Sequence, residues 1–341
     1  MTTLSLTDLP LAALGEILGS RTRAHAVRRW LYSCIPVPTY LPDRIDGVAA
    51  AGWERLRAAT ALPQWRLLGR QLAVDGTVKY SMDVAGATIE TVFIPAAARS
   101  TVCVSSQSGC SRSCGFCATA TVGFHRQLKA GEMVLQYLVA QSEAPAHVPA
   151  RNVVFMGMGE PMDNLDEVMS AVDRLLEPPL PRVGAGHITV STAGVLPGIK
   201  RFLREGRGHL ALSLNATTDA AREALMPHNR NWPIGDLLEA LREDQRRGSG
   251  RYYFVEYVLW EGVNDSEADA RRLVTLLDGL DAHVNLIPHN PFEGNPLRPP
   301  PPSVVSRFQA VVHSGGVRCL IRQPRGQEIA AACGQLALRR A

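Results

Sequence analysis

Hydrophobic positions in residues 5–60 recur at the spacing of one helix face. Prolines at positions 36, 38 and 42 interrupt the pattern, and proline is poorly tolerated inside helices. The two apolar stripes consist of Leu9, Leu11, Leu14, Leu18, Val27, Trp30 and Leu31. We therefore predict a small helical accessory domain over residues 1–62.

The pattern changes to short β-prone runs between residues 67 and 95. Residues 69–74 and 79–84 flank the pair Asp75-Gly76, which is typical of a tight hairpin turn, and residues 88–94 form a third run. We predict a β-hairpin over residues 63–97 that leads into the main core.

A repeated strand-then-helix rhythm follows in residues 98–341. The six candidate strands are residues 101–106, 152–156, 187–191, 210–214, 253–259 and 283–287. Six such units predict an α/β fold, a partly closed parallel (βα)6 barrel. Chemistry in such barrels gathers at the C-terminal ends of the strands, so residues that follow the strands are the candidates for a site.

Composition narrows the class of protein. The 341 residues are 46% hydrophobic, without an apolar run of membrane-spanning length, and the N-terminus lacks the pattern of a secretion signal. Seven cysteines are few for a disulfide scaffold, and their number is odd. We expect a cytoplasmic monomer with no membrane partner. The net charge of +4 does not by itself indicate nucleic acid, although arginines cluster at positions 21, 23, 28 and 29.

Three cysteines stand in one loop after the first barrel strand: Cys110, Cys114 and Cys117. Thiolates are the usual ligands of iron–sulfur clusters, and three of them leave one iron of a four-iron cluster open to a substrate. A zinc knuckle is the alternative, but structural zinc sites favour paired Cys-x-x-Cys units. The spacing Cys-x3-Cys-x2-Cys resembles the signature of the radical S-adenosylmethionine (SAM) superfamily. This resemblance implies a [4Fe-4S] cluster and S-adenosyl-L-methionine as cofactors.

Short polar residues and glycines follow the later strands. Gly159 and Glu160 lie in the run GMGEP after the second strand, where glycine permits close backbone approach and the carboxylate suits an ammonium group. The candidate contacts after the third, fourth and sixth strands are Ser191, Ser213, Leu214, Asn215 and Asn290. Ordinary helix capping would explain any one of them alone, whereas their occurrence at successive strand ends favours a bound ligand.

Over essentially its whole length the chain resembles the RlmN and Cfr family of radical SAM RNA methyltransferases. The matching runs are CVSSQSGC at 103–110, GMGEP at 157–161, EYV at 256–258, GVNDS at 262–266, NLIP at 285–288, NPF at 290–292 and AACGQL at 331–336. Departures lie mainly outside the core: Thr22, Ala26, Asn215 and Pro324 stand where the family commonly has other residues.

The resemblance implies roles for three further residues. Cys333 would be S-methylated and pass its carbon to an adenine ring, and Cys103 would release the product by forming a transient disulfide with Cys333. Glu90 would accept a proton. Without the resemblance, both cysteines would be interpreted as small buried hydrophobes and Glu90 as a solvated strand carboxylate.

The implied activity is methylation of carbon 2, or less commonly carbon 8, of an adenine in RNA. Ribosomal RNA is the expected partner, with transfer RNA as a second possibility, together with an electron donor such as flavodoxin; the helical domain would contact the RNA. The alternatives are a radical SAM paralogue acting on another RNA or a small molecule, and a non-catalytic iron–sulfur RNA-binding protein.

Overall fold

The computed structural model describes residues 4–34, 36–142, 150–178 and 183–338. Its N-terminal part contains the predicted helices: α1 (Leu11–Leu18), α2 (Arg21–Ser33) and α3 (Ala50–Ala59), beside the short parallel pair β1 (Leu4–Ser5) and β2 (Thr60–Ala61). Ser20 caps α2 by accepting a hydrogen bond from the Arg23 amide. The apolar stripes of these helices pack together, and Leu14, Leu18, Val27 and Trp53 are buried.

One of the four clustered arginines, Arg28, is not available to contact RNA. Its guanidinium is fully buried and donates from Nη2 to the Leu9 carbonyl and to Glu177 Oε2, the latter at 3.1 Å. A side chain held in this way cannot reach an RNA phosphate. Arg28 is therefore a structural residue of the N-terminal helices, whereas Arg21 and Arg29 are exposed.

The predicted hairpin is part of an antiparallel three-stranded meander, β3 (Trp65–Leu72), β4 (Val78–Val84) and β5 (Ala87–Ile94). The turn between β3 and β4 is set by Asp75, whose Oδ1 accepts a hydrogen bond from the Thr77 amide, and by Gly76 at a φ of +83°. β5 pairs antiparallel with the first barrel strand, with Val92 opposite Cys103. The meander thus continues the barrel sheet instead of forming a separate body.

The parallel strands of the main sheet are β6 (Ser100–Cys103), β9 (Ala150–Phe155), β10 (Ile188–Thr192), β11 (His209–Ser213), β12 (Tyr253–Leu259), β13 (Ala282–Pro288) and β14 (Arg318–Ile321). In the described part of the chain, ten strands form this sheet, in the order β14-β13-β12-β11-β10-β9-β6-β5-β4-β3. The six predicted strands are present. β14 adds a seventh parallel strand, paired with β13.

Helices connect the parallel strands and cover the sheet. They are α4 (Ala130–Gln141), α5 (Leu165–Leu176), α6 (Leu196–Glu205), α7 (Asp219–Leu225), α8 (Ile234–Arg246), α9 (Glu267–Leu277) and α10 (Pro302–Ser314). A small hairpin, β7 (Gln107–Gly109) with β8 (Phe124–Gln127), frames the cysteine loop. None of the helices that the structure describes combines the length and apolar character needed to span a bilayer.

Candidate active site

One cavity of about 490 Å³ opens where the parallel strands end. Because the C-terminal ends of parallel strands meet at one edge, residues far apart in the chain converge there. The predicted site residues on its lining are Cys103, Cys110, Cys114, Cys117, Gly159, Glu160, Ser191, Ser213, Asn215, Asn290 and Cys333. The structure thus brings together all but two of the residues that the sequence singles out.

The three loop cysteines are half-buried on the lining of this cavity. Burial raises the pKa of Cys110 to about 12, and it raises the pKa of Cys114, which its two neighbouring loop thiols raise further. The Arg112 amide donates a hydrogen bond to the Cys110 sulfur at 3.4 Å. Within the described ranges, no three His, Cys, Asp or Glu side chains converge as ligands of a single metal ion.

An arginine in the cysteine loop binds this loop to a neighbouring turn. Arg112 Nε donates to Asp163 Oδ2 at 2.8 Å, and Arg112 Nη2 pairs with Asp163 Oδ1. Ser111 Oγ donates to the same carboxylate at 2.8 Å. The Arg112 guanidinium also stacks over the ring of Trp232. These contacts fasten the loop to the short 3-10 turn that follows the GMGEP run.

The GMGEP run is packed tightly against the start of the cysteine loop. A Cβ at Gly159, where φ is +102°, would lie 2.6 Å from Gln107 Cβ, and one at Gly157 would lie 2.7 Å from Ser105 Oγ. Glu160 is buried, and its carboxylate accepts hydrogen bonds from the Met162 and Ala193 amides at 3.0 and 2.7 Å. Burial raises the pKa of this carboxyl.

The other predicted ligand contacts differ in their placement. Asn215 adopts a left-handed backbone (φ +62°), and its Oδ1 accepts a hydrogen bond from the Val258 amide at 3.0 Å. Asn290 donates from Nδ2 to the Cys333 carbonyl at 3.1 Å. The Leu214 side chain is fully buried in the hydrophobic core and does not line the cavity. Its amide donates to the Glu256 carbonyl at 3.0 Å, and its predicted ligand contact stays a prediction.

The sequence did not indicate a role for Arg222, which lies in helix α7 and forms hydrogen bonds with residues at the ends of two strands. This fully buried guanidinium donates to the carbonyls of Ala193, Ser213 and Leu214 and to Asn229 Oδ1. Burial lowers the pKa of Arg222 to about 10. An arginine in a helix with polar neighbours usually marks a solvated face, so the sequence carries no signal for this role.

The C-terminal segment places Cys333 on the cavity lining, beside the end of the cysteine loop. The Ala118 amide donates to the Gly334 carbonyl at 2.7 Å, and Thr119 Oγ1 donates to the Leu336 carbonyl at 2.7 Å. The Cys333 side chain is accessible through the cavity. The surrounding protein raises the pKa of its thiol, and the nearby Glu256 carboxylate raises it further.

Cys103 lies at the end of β6 and is buried. Burial raises the pKa of its thiol, and the proximity of Cys333 adds to this effect. The two cysteines therefore lie within electrostatic range of each other on the lining of one cavity.

Comparisons with known proteins agree with this arrangement. The family model of the Radical SAM superfamily matches residues 104–274. The dual-specificity RNA methyltransferase RlmN of Anaeromyxobacter dehalogenans is 42% identical over 341 residues, covering 98% of this chain and 91% of the relative. A probable RNA methyltransferase of Sorangium cellulosum is 40% identical, covering 97% of this chain and 87% of that protein.

A solved structure shows the same fold. The crystal structure of a radical SAM methyltransferase from Sphaerobacter thermophilus superposes with a TM-score of 0.90 at 40% identity, covering 97% of this chain and 98% of the other. The chain belongs to the RlmN family of radical SAM RNA methyltransferases. It is an enzyme of that kind, and its fold is the radical SAM α/β fold.

Membership of the RlmN family implies an iron–sulfur cluster and SAM, and the residues present fit them. Cys110, Cys114 and Cys117 supply three thiols to one cavity, and a backbone amide donates to one of the sulfurs, as around cluster ligands. The raised pKa values of Cys110 and Cys114 mean that metal must displace a proton from each of these thiols. Glu160 and Asn290 are the predicted SAM contacts on the same lining.

Glu90 is the second predicted site residue outside the cavity lining of this RlmN-family protein. It is fully buried in β5, so the solvated-carboxylate interpretation is wrong. Its Oε2 accepts hydrogen bonds from the amides of Ala337 and Leu338, at 2.9 and 3.2 Å. Its role as a proton acceptor stays a prediction.

Proposed function

We propose that this protein methylates carbon 2 of an adenine in RNA through an S-methylated Cys333, with carbon 8 as the rarer target of the same chemistry. The observation that carries the proposal is the convergence of Cys103 and Cys333 with the three loop cysteines on one cavity. Iron–sulfur binding alone needs neither of the two outer cysteines. This arrangement favours a methyltransferase over a non-catalytic RNA-binding protein.

Cys333 is the proposed methyl acceptor. Its sulfur attacks the methyl carbon of a first SAM, the carbon–sulfur bond of the sulfonium breaks, and the thiol proton is released. The accessible position of Cys333 on the cavity leaves room for this approach. When bound, the cluster supplies the electron that splits a second SAM into methionine and a radical able to take hydrogen from the S-methyl group.

Cys103 is the proposed resolving residue. Once the Cys333 methyl carbon has lost a hydrogen atom and joined an adenine ring carbon, that ring carbon loses its proton and the adduct passes one electron to a flavodoxin-class carrier, so that the base is bound to protein through the Cys333 sulfur. Attack by the Cys103 thiolate on that sulfur breaks its bond to carbon and forms a Cys103–Cys333 disulfide, and the released carbon takes up a proton to become the new methyl group. A cellular thiol reductant restores both thiols for the next cycle.

Arginines at the cavity support RNA as the substrate. Arg112, Arg322 and Arg325 line it, and the latter two are exposed. An adenine must leave its stack to reach a cavity of this size, so a flipped or single-stranded base is the form expected to bind. We propose ribosomal RNA as the main substrate and transfer RNA as a second one, a flavodoxin-like electron donor, and action as a cytoplasmic monomer.

The test is to incubate the anaerobically reconstituted protein with a reductant, SAM labelled in its methyl group, and separate ribosomal and transfer RNA pools. The RNA is digested and its nucleosides are identified by mass spectrometry. Labelled 2-methyladenosine is the expected product, and the Cys333→Ala variant is the matched control that yields none. Label in a nucleoside other than 2-methyladenosine or 8-methyladenosine, or in none, would contradict the proposal.

A further inference from the structure

A buried ion pair lies beneath the segment that carries Cys333. Lys79 in β4 and Glu90 in β5 approach to 3.5 Å between Nζ and Oε1, and their side chains are 4% and 0% exposed. Ser81 Oγ donates to the same Glu90 oxygen at 3.3 Å. Burying two charges costs free energy unless further hydrogen bonds satisfy them. The remaining hydrogen-bond partners of Lys79 and Glu90 therefore show which part of the chain the pair stabilises.

Those partners flank Cys333 on both sides. Lys79 Nζ donates to the Ala330 carbonyl at 3.4 Å, which is the N-terminal side. Glu90 Oε2 accepts from the Ala337 and Leu338 amides, which is the C-terminal side. The Lys79–Glu90 pair therefore forms hydrogen bonds with both ends of the segment 330–338.

The same segment also forms hydrogen bonds with residues that follow strand β13. Asn290 Nδ2 contacts the Cys333 carbonyl, and Gln335 Nε2 donates to the Pro291 carbonyl at 2.8 Å. Cys333 thus lies between a clamp in the meander and a set of contacts after β13. Small residues surround it, so few other side chains in the segment can fix its position.

We propose that the Lys79–Glu90 pair is a clamp that positions Cys333 in the cavity, and that Glu90 acts through this segment and not on the reacting atoms. Glu90 does not line the cavity, whereas both cysteines do. Its second oxygen is engaged by two backbone amides, which suits an anchor. The inference rests on the role proposed for Cys333 and names the residues that hold it there.

The decisive measurement is amide hydrogen exchange of the reconstituted protein, read by mass spectrometry on peptides covering residues 330–338. Glu90→Gln is expected to speed exchange at Ala337 and Leu338 by about tenfold or more, because a buried anchor is weakened. Methylation of Cys333 by labelled SAM, read on the same peptide, is expected to slow in parallel. Glu177→Gln, which loses the ion pair to Arg28, is the matched control and should leave this peptide unchanged.

The double variant Lys79→Met/Glu90→Gln separates positioning from proton transfer. It leaves no buried charge unpaired, so it remains usable if Glu90→Gln is too unstable to purify. The amide oxygen introduced at position 90 can still accept a hydrogen bond from the segment. We expect exchange at Ala337 and Leu338 to return to within about threefold of wild type, with partial recovery of Cys333 methylation, because the Lys79 contact to the Ala330 carbonyl is lost.

Two results would overturn the clamp. In one, Glu90→Gln abolishes RNA methylation while exchange of residues 330–338 stays at the wild-type rate and the double variant is not rescued; Glu90 would then act chemically. In the other, exchange rises but Cys333 is methylated normally. Failure of the wild-type protein to methylate Cys333 would instead overturn the proposed function, and the exchange data would still decide whether the clamp exists.

Discussion

Arg112 donates from Nε to Oδ2 of Asp163 at 2.8 Å, and this contact joins the cysteine loop to the turn that follows Glu160. Both side chains are mostly buried, with about a fifth of each exposed. The pair is therefore less screened by water than surface ion pairs are. It couples the thiols expected to bind the cluster to the run expected to bind SAM.

Replacing Arg112 should loosen the cluster loop. Arg112→Ala removes charged hydrogen bonds of a kind that contribute about 1.5–3 kcal/mol each, so the variant should release iron and sulfide to a chelator faster than wild type. The rate is followed by the loss of the cluster's visible absorbance. Arg201→Ala is the matched control, because its ion pairs with Asp166 and Glu205 are exposed and screened by water. Equal release rates would show that the pair does not support the loop.

Cys114 offers a direct test of cluster binding. Cys114→Ala removes one of three thiols, so the variant should lose the brown chromophore and the cleavage of SAM together. Iron, sulfide and cleavage products are measured after anaerobic reconstitution. Cys34→Ala is the control, because Cys34 ends helix α2 and lies outside the cavity. Persistence of all three readouts at wild-type levels in Cys114→Ala would refute the ligand assignment.

Much of the barrel could be predicted because its strands are short runs rich in apolar and β-branched residues that recur between helical stretches. Residues 253–259 were expected as a strand and form β12 with the same bounds. β14 was missed because its run, Arg318–Ile321, is only four residues long and begins with a charged residue. A short run of this kind gives little periodic signal.

The candidate site also contains residues that the sequence could predict and residues that it could not. Cys110, Cys114 and Cys117 are neighbours in sequence, so their spacing alone indicates their chemistry. Arg222 and the pair of Lys79 and Glu90 make contacts to segments distant in the chain, and local sequence does not encode such partners. Arg28 shows the opposite kind of error. It belongs to a cluster of basic residues that resembles a phosphate-binding face in the sequence, but its side chain is buried and paired with Glu177.

The exposed arginines of helix α2 remain candidates for contacts with RNA phosphates. Arg21→Ala/Arg29→Ala should flatten the salt dependence of RNA affinity by about one counterion for each lost contact. Affinity is measured at several salt concentrations with the RNA that the enzyme modifies. Arg246→Ala, on the exposed surface of α8, is the comparison. An unchanged slope would assign Arg21 and Arg29 to a solvated helix face.

Cys103 and Cys333 should fail in different ways when each is replaced, because they act at successive steps. Cys333→Ala removes the methyl acceptor, so labelled SAM should leave no label on residues 330–338 or on RNA, while the cluster is retained because no loop cysteine has changed. Cys103→Ala leaves the acceptor intact and removes the group that breaks the thioether link. This variant should therefore accumulate protein joined covalently to RNA through Cys333.

Denaturing gel electrophoresis with labelled RNA detects that adduct, and peptide mass spectrometry locates it. Cys319→Ala is the control: Cys319 is a buried core residue of β14, away from the cavity lining, so its replacement should give neither phenotype. A Cys103→Ala enzyme that turns over normally, or a Cys333→Ala enzyme that still methylates RNA, would exclude the two-cysteine mechanism.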